Sequence, residues 1–389
     1  MNSTLLALLS ALLLTAVDAT AADRRDSPTR LSVRWDWPPA GITVRSDGGR
    51  AFVAGRVRTW ADEPLDVAFL IDVSDTTAAP SSLDVDADGT AQGRAPLTAK
   101  RLLDRFLRVP ELPNRDNVLA AELRAVRILA SRIGCADTRL VLVAFSGDAD
   151  PRTPDASVVV SVTEDRNEFD DGLELVDLVG PNGMTNFEAA LETAHDSLVG
   201  DATPGSERRA HVVLLSDGLP TLPYMGNAKA NSRAAVAGAS RLANAGVRVD
   251  TVAIGTEATD DPSSLREMAR VGGGVFISAR DAASLPELFG ELEFSGIEDL
   301  SIRSVTMGEQ ATLRLLADGC FGALVPVTDG PNTISLVARG GGREVASEIE
   351  VQVGADGEAP TPELAVLRHG LLAELPPPGT TPPGVERSE

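Results

Sequence analysis

Apolar and polar positions alternate in two ways along the chain, and the first covers residues from about 65 to 294. Short runs rich in apolar residues, typical of strands buried on both faces, occupy 67–71, 140–145, 212–215, 247–254 and 274–278. Apolar residues recur at helical spacing over 117–133, after Thr185, and over 227–244, 262–271 and 284–293. This alternation predicts an α/β domain with a doubly wound, mainly parallel sheet, in which 158–160 form an antiparallel edge strand.

The second pattern, short alternating strands between turns, covers residues 300–353 and predicts a β-sandwich. An Asp-Gly-x-Phe turn at 318–321 and a Gly-x-Asn-x-Ile turn at 330–334 resemble those of bacterial immunoglobulin-like modules. Such modules usually begin with a strand pair ending in a Val-x-Gly-x-Val pattern, which residues 53–57 match. We therefore predict that residues about 31–62 and 297–354 form one immunoglobulin-like domain into which the α/β domain is inserted. Two separate β segments are the alternative.

Three short polar stretches lie where the chain leaves or approaches a buried strand of the α/β domain. They are Asp-Val-Ser-Asp-Thr at 72–76, Gly-Met-Thr-Asn-Phe at 183–187 and Leu-Ser-Asp-Gly at 215–218. In an open α/β sheet, binding sites form at the carboxyl ends of the strands. The three stretches therefore predict one shared site, although Asp, Ser and Thr also cap helices in this position.

Together the stretches resemble the metal-ion-dependent adhesion site of the von Willebrand factor type A domain, which uses an Asp-x-Ser-x-Ser turn, a distant Thr and a distant Asp. The resemblance implies a Rossmann-like α/β fold and a divalent cation, Mg²⁺ or Ca²⁺. The ligands it implies are Asp72, Ser74, Thr76, Thr185 and Asp217. A coordination position stays open, and a carboxylate of a partner protein or extracellular polymer is its natural occupant. Asp75 departs from the family pattern, which usually has a small residue there.

A second acidic motif, Asp84, Asp86 and Asp88 followed by Gly89, resembles the first half of an EF-hand calcium loop. The second half does not match, because Ala95 stands where a bidentate Glu belongs. Asp116 or Glu122 is a candidate for the missing carboxylate. A solvated acidic loop without an ion is the alternative interpretation.

Composition and charge limit the classes of binding partner and the cellular compartment that are expected. The 389 residues, of which 43% are apolar, carry a formal charge of −22, which repels phosphate groups and disfavours nucleic acid and anionic membranes as partners. Residues 1–21 resemble a signal peptide, with an apolar core at 5–14 and small residues at 19–21. No later stretch is apolar over the length that a transmembrane anchor needs. We expect a secreted protein that is periplasmic, extracellular or associated with the cell surface.

Cys135 and Cys320 are the two cysteines of the chain, which excludes a cysteine-based zinc site. A disulfide between them would join the two predicted domains, and two buried free thiols are the alternative. The predicted organisation runs in order along the chain. It comprises a signal peptide at 1–21, a β segment at 22–62, the α/β domain at 63–295, the second β segment at 296–354 and a Pro-rich tail at 355–389.

These features predict an exported adhesion or protein-interaction protein, which is not an enzyme. A structural or scaffold module with a degenerate, metal-free site is the main alternative. A hydrolase with Ser74 or Ser216 as nucleophile is a third hypothesis, but neither a Gly-x-Ser-x-Gly elbow nor a well-placed base supports it.

Overall fold

The computed structural model describes residues 31–60, 63–81, 116–148, 150, 152–200 and 208–374. The chain divides into two compact units, and the statements below concern their described residues. An α/β unit contains Glu63–Arg132 and Ala136–Leu292, and a β unit contains Pro28–Asp62, Ile133–Cys135 and Glu293–Glu389. The predicted signal peptide, the acidic motif Asp84, Asp86 and Asp88, and the end of the Pro-rich tail lie outside the described residues.

The strands of the described residues are numbered in chain order. They are β1 Ser32–Trp37, β2 Thr43–Val44, β3 Ser46–Asp47, β4 Arg50–Arg58, β5 Leu65–Asp72, β6 Thr138–Phe145, β7 Ala156–Thr163, β8 Arg209–Ser216, β9 Val247–Ile254, β10 Gly273–Ala279, β11 Ile297–Ser304, β12 Thr312–Leu315, β13 Cys320–Pro326, β14 Gly330–Gly340 and β15 Arg343–Val353.

The helices are numbered in the same way. They are α1 Val118–Ser131, α2 Arg166–Val179, α3 Phe187–Val199, α4 Ala228–Asn244, α5 Gly255–Asp260, α6 Ser263–Val271, α7 Leu285–Glu291 and α8 Pro362–Glu374, with short 3-10 turns at Asp75–Ala78 and Ala282–Ser284. None of the helices in the described part of the chain is long and apolar enough to cross a membrane.

The α/β unit is built on a six-stranded sheet in the order β10-β9-β8-β5-β6-β7. All neighbouring strands run parallel except β7, which pairs antiparallel with β6 at the edge. The predicted doubly wound, mainly parallel sheet is confirmed. Strand β5 lies between β6 and β8, and all eight of its residues are buried. Its carboxyl end is therefore at the centre of the sheet.

Helices pack on both faces of this sheet, which explains why β5 is apolar at successive positions. Ala68 and Leu70 belong to a core that contains Phe187 and Leu191 of α3. The intervening Phe69 points the other way and packs against Phe169 of α2, with ring centroids 5.6 Å apart. Successive side chains of a strand point to opposite faces, so a strand covered on both faces has no polar side.

The periodicity failed to reveal two helices of the α/β unit. Helix α2 has Phe169, Leu173 and Val176 at helical spacing, but acidic residues separate them and hide the apolar stripe. Helix α5 has six residues and one fully buried side chain, Ala258, so it is too short to show a period. The helix predicted at 284–293 is present as α7, Leu285–Glu291, which directly follows the 3-10 turn Ala282–Ser284.

The β unit contains two sheets, with orders β1-β4-β13-β12 and β11-β14-β15-β2. Strand β4 pairs antiparallel with β13, with Ala54 opposite Gly322. The segments before and after the α/β unit thus share one sheet. Apolar side chains of both sheets form a common core, which Leu371 of α8 joins.

Cys135 and Cys320 form a disulfide with a Cα–Cα distance of 5.4 Å. The expectation that a bridge would join two domains is wrong, because Ile133–Cys135 belongs to the β unit together with Cys320. The carboxylate of buried Asp318 accepts hydrogen bonds from the backbone N–H groups of Gly134 and Cys135, at 3.0 and 2.7 Å. These contacts hold the short segment beside β13.

Candidate metal centre

The first predicted stretch forms a tight turn at the carboxyl end of β5. Asp72 is the last residue of the strand and is fully buried. Its Oδ1 accepts a hydrogen bond from the backbone N–H of Ser74 at 2.9 Å. The 3-10 turn then begins, and Thr77 closes it by donating from Oγ1 to the carbonyl of Ser74 at 2.9 Å. The turn leaves Ser74 buried and Thr76 exposed to solvent.

A chain of hydrogen bonds connects this turn with the stretch that follows β8. Ser216 donates from Oγ to Oδ2 of Asp72 at 2.5 Å. The hydroxyls of Ser74 and Thr76 lie 3.0 Å apart, and Thr76 donates to Oδ1 of Asp217 at 2.7 Å. Because β5 and β8 are parallel neighbours, their carboxyl ends bring these side chains together. Four of the five predicted ligands thus belong to one hydrogen-bonded group.

Thr185, the fifth predicted ligand, lies beside this group and is 4% exposed. A Cβ atom built on Gly218 would lie 3.5 Å from Oγ1 of Thr76 and 3.6 Å from Oγ1 of Thr185. Gly218 therefore leaves room between the two hydroxyls. The backbone N–H of Thr185 donates to Oγ1 of Thr221 at 3.0 Å, and the N–H of Thr221 donates back to the carbonyl of Thr185 at 2.9 Å.

Backbone hydrogen bonds also tie the loop that carries Thr185 to the first turn. The N–H of Asp75 donates to the carbonyl of Gly183 at 2.8 Å, and the N–H of Asn182 donates to the carbonyl of Val73 at 2.6 Å. Gly183 has a φ of 90°. A Cβ there would lie 2.6 Å from the carbonyl oxygen of Gly147, so the position requires glycine.

The acidic side chains of the site are held in an environment that disfavours their charge. Burial raises the pKa of Asp72 from 3.8 to about 6, in spite of hydrogen bonds from Ser216 and Ser74. Burial also raises the pKa of Asp217 from 3.8 to about 7, and the charges of Asp72 and Glu257 add to the shift. Two neighbouring carboxylates with raised pKa values indicate a site that lacks a compensating positive charge.

Glu122 is a third acid of this region and is not one of the five predicted ligands. It lies on α1 and is fully buried. Among the described residues, no hydrogen-bond donor or acceptor reaches either carboxylate oxygen. Its pKa is raised well above 4.5, first by burial and then by the charges of Asp217 and Asp72. The sequence feature that could have identified Glu122 is an acid inside the otherwise apolar stretch 118–123. Every residue of this stretch is buried in α1.

The donor set fits a hard divalent cation. The predicted ligands offer hydroxyl and carboxylate oxygens, which Mg²⁺ and Ca²⁺ prefer over nitrogen or sulfur. A buried carboxylate without a hydrogen-bond partner among the described residues, such as that of Glu122, is a group that a cation would satisfy.

The side chains proposed as nucleophiles have other contacts. The hydroxyl of Ser216 donates a hydrogen bond to Asp72, and the hydroxyl of Ser74 is hydrogen-bonded to that of Thr76. His211 lies near the amino end of β8, five positions before Ser216, which corresponds to roughly 16 Å of strand. Burial lowers its pKa to about 3. His211 is thus remote from both serines.

Comparison with known proteins identifies the fold of the α/β unit. Residues 117–291 match the family model of the von Willebrand factor type A domain. The match begins at α1 and leaves out β5 and its turn, which precede residues 82–115. The α/β unit has the von Willebrand factor type A fold. A search of curated proteins gives no match.

Several solved structures are similar to the chain. A von Willebrand factor type A protein from Catenulispora acidiphila is 16% identical, with 85% of this chain and 76% of that chain covered and a TM-score of 0.39. The pilus adhesin SpaC from Lactobacillus rhamnosus GG is 13% identical, with 85% of this chain and 48% of that chain covered and a TM-score of 0.41. An aerotolerance-related membrane protein from Bacteroides fragilis is 16% identical, with 58% of this chain and 97% of that chain covered and a TM-score of 0.38.

Proposed function

We propose that the von Willebrand factor type A domain of this chain binds a partner through a divalent cation, Mg²⁺ or Ca²⁺, which bridges to an acidic group of that partner. The observation that carries the proposal is the hydrogen-bonded group of Asp72, Ser74, Thr76 and Asp217 with Thr185 beside it. Three separate loops deliver these oxygens to one place. Helix capping alone does not require the loops to meet.

In this proposal the hydroxyls of Ser74, Thr76 and Thr185 bind the cation directly, and Asp72 and Asp217 bind it directly or through water. The bound cation supplies positive charge that attracts a carboxylate. Ser216 and the backbone of Ser74 hold Asp72 in place, so the carboxylate that anchors the site loses little freedom on binding. Exposed Thr76 marks the side from which a partner can approach.

The loop after Asp217 offers a surface for such a partner. Tyr224 and Met225 are 53% and 66% exposed, although both are large and apolar. Buried Asn231 fixes their backbone, since it accepts from the N–H of Tyr224 at 2.7 Å and donates to the carbonyl of Pro220 at 3.2 Å. We propose that a partner combines an acidic group with an apolar contact to this loop. Export of the chain remains part of this proposal.

A scaffold module with a metal-free site is the second candidate. Asp75 favours it, because this additional acid is solvent-exposed next to Thr76 and would repel an acidic partner. In the scaffold interpretation Asp72 and Asp217, whose pKa values are raised to about 6 and about 7, would bind no cation and would serve only to join the loops.

Calorimetric titration of the chelator-treated full chain with Mg²⁺ and with Ca²⁺ separates the two candidates. We expect one site that is lost in Thr185→Ala, because the substitution removes a hydroxyl ligand. Asp171→Asn, on the exposed face of α2, is the matched control and should bind like the wild type. The absence of any site that depends on Thr185 would refute the proposed function.

Mn²⁺ tests the partner chemistry at the same site. Water bound to protein-held Mn²⁺ relaxes bulk water protons, and a carboxylate that displaces this water reduces the effect. We expect glutarate to reduce the relaxation and an equal concentration of the neutral diamide to leave it unchanged. Equal effects of the two compounds would contradict an acidic partner.

A further inference from the structure

We infer that Glu122 supplies a third carboxylate to the metal centre, from helix α1, in addition to the five oxygen ligands of the three loops. The inference rests on the proposed function, because it concerns the same cation. It makes the centre more acidic than the motif alone would make it. Glu122 would then increase the affinity for the cation and decrease the attraction of the loaded site for an acidic partner.

The first argument is the burial of an acid without any partner. Glu122 is fully buried, and both of its carboxylate oxygens lack a hydrogen-bond partner among the described residues. Burying an unpaired carboxylate is costly, and proteins rarely retain one without a counter-charge. Protonation does not remove the difficulty, because the resulting O–H would also lack an acceptor there. A cation satisfies both oxygens.

The second argument is the position of Glu122 relative to the first turn. The N–H of Val118 donates to the carbonyl of Ala79 at 2.9 Å, and Ser81 donates from both its N–H and its Oγ to the carbonyl of Asp116 at 2.8 Å. Asn117 caps the helix by accepting from the N–H of Ala120 at 2.8 Å. These bonds fix the first turn of α1 beside the end of the turn that carries Ser74 and Thr76.

The third argument is electrostatic. Among the charged side chains, Asp217 and Asp72 act most strongly on Glu122, and both repel its charge. Repulsion from both aspartates places the carboxylate of Glu122 in the same buried region. Three acids from three elements, β5, α1 and the loop after β8, thus act on one another electrostatically, and none of them forms an ion pair with an arginine or lysine of the described residues. Their carboxylate oxygens are not all within 4.8 Å of one another, so one cation would bind part of this set through water. A divalent cation relieves all three repulsions at once.

Calorimetry of the chelator-treated full chain tests the inference with Glu122→Gln, which keeps the shape of the side chain and removes the charge. We expect Ca²⁺ to bind about 10- to 100-fold more weakly than in the wild type, the usual cost of losing a supporting group of a metal site. Glu174→Gln on the exposed side of α2 is the matched control and should bind normally. Glutarate should bind the Ca²⁺-loaded Glu122→Gln variant more tightly than the loaded wild type.

Thermal unfolding adds a readout that does not depend on the cation. Without metal, Glu122→Leu should melt at a higher temperature than the wild type, because it replaces a buried acid by an apolar side chain of similar volume. With saturating Ca²⁺ the order should reverse. If Glu122→Gln does not fold, Glu122→Asp keeps the charge on a shorter side chain and should still weaken Ca²⁺ binding.

Two negative outcomes are distinguishable. Unchanged Ca²⁺ affinity in Glu122→Gln, together with lost binding in Thr185→Ala, would overturn the role of Glu122 and leave the proposed function standing. Absence of both Mg²⁺ and Ca²⁺ binding in the wild type would overturn the proposed function itself, and this inference with it.

Discussion

Strand β5 carries a buried aspartate near each end, and the protein satisfies the two in opposite ways. Near the amino end, Asp66 accepts two hydrogen bonds from Arg139, at 2.9 and 2.8 Å, and one from Arg208 at 2.9 Å. At the carboxyl end, Asp72 is contacted by the hydroxyl of Ser216 and the backbone of Ser74. Arginine thus neutralises the acid at one end, and hydroxyl groups surround the acid at the other.

The same difference extends to neighbouring strands. Asp250 on β9 accepts from Arg248 at 3.0 Å and from the backbone N–H of Val275 at 2.7 Å. Asp217 and Glu122 accept no hydrogen bond from an arginine of the described residues. An acid that only holds a fold together is usually paired within the fold. The unpaired acids are therefore the ones for which we propose an external counter-charge.

The largest expected effect is the loss of the paired acid. Asp66→Ala leaves the guanidinium groups of Arg139 and Arg208 without their buried carboxylate, and we expect a loss of about 3 to 5 kcal/mol in the free energy of unfolding. Urea unfolding followed by far-ultraviolet circular dichroism measures it. Asp171→Asn is the exposed control and should stay within about 0.5 kcal/mol of the wild type. If Asp66→Ala also stayed within about 0.5 kcal/mol of the wild type, the ion pairs of Asp66 with Arg139 and Arg208 would contribute little to stability.

The contribution of Asp72 to the pH dependence of the metal-free protein should come next in size. The pKa of Asp72 is raised to about 6 and that of Asp217 to about 7, both from 3.8. Between the unfolded and folded pKa values the folded chain binds more protons, so its stability falls as the pH rises from about 4 to about 7 and then levels off. Asp72 alone should contribute roughly 3 kcal/mol to this fall.

Chemical unfolding at a series of pH values in the presence of chelator checks this prediction. Asp72→Asn should show a smaller fall, because it cannot titrate. Saturating Ca²⁺ should offset the fall at neutral pH, since binding requires the ionised carboxylates. Stability that rises with pH in the chelator-treated wild type would contradict the assigned pKa values.

The smallest effect on stability is expected at the exposed loop. Tyr224→Ala should change the free energy of unfolding by less than about 0.5 kcal/mol, because the side chain is half exposed and Asn231 holds only its backbone. Cation affinity, measured by calorimetry, should also be unchanged. A large loss of cation affinity would show that the loop supports the metal centre instead of facing a partner.

The sequence was sufficient to predict those features of the fold and the site that depend on neighbouring residues. The apolar run of β5 and the polar residues after it predicted both a central strand and the position of Asp72. Thr185 and Asp217 followed from the resemblance to a family motif, and the structure brings them to the same place. The hydroxyl spacing that joins Ser74 to Thr76 is a property of one tight turn, so it was readable from five residues.

Non-local features were harder to predict. The orientation of Glu122 depends on how α1 packs against the sheet, so its sequence neighbours suggested a calcium loop instead. Helix α2 was missed because its acidic residues obscured the spacing of Phe169, Leu173 and Val176. The unit to which Cys135 belongs depends on the hydrogen bonds of Asp318, which lies far along the chain. In each case contacts between distant segments decided the outcome.

The hydrogen bonds between residues 79–81 and 116–118 also determine where the chain can be re-engineered. They hold the two ends of residues 82–115 close together, and the entropy of closing a flexible loop depends only weakly on its length. These ends are therefore the place to test a short Gly-rich linker, or new chain termini in a circular permutant. The linker design would carry the proposed metal centre on a shorter chain.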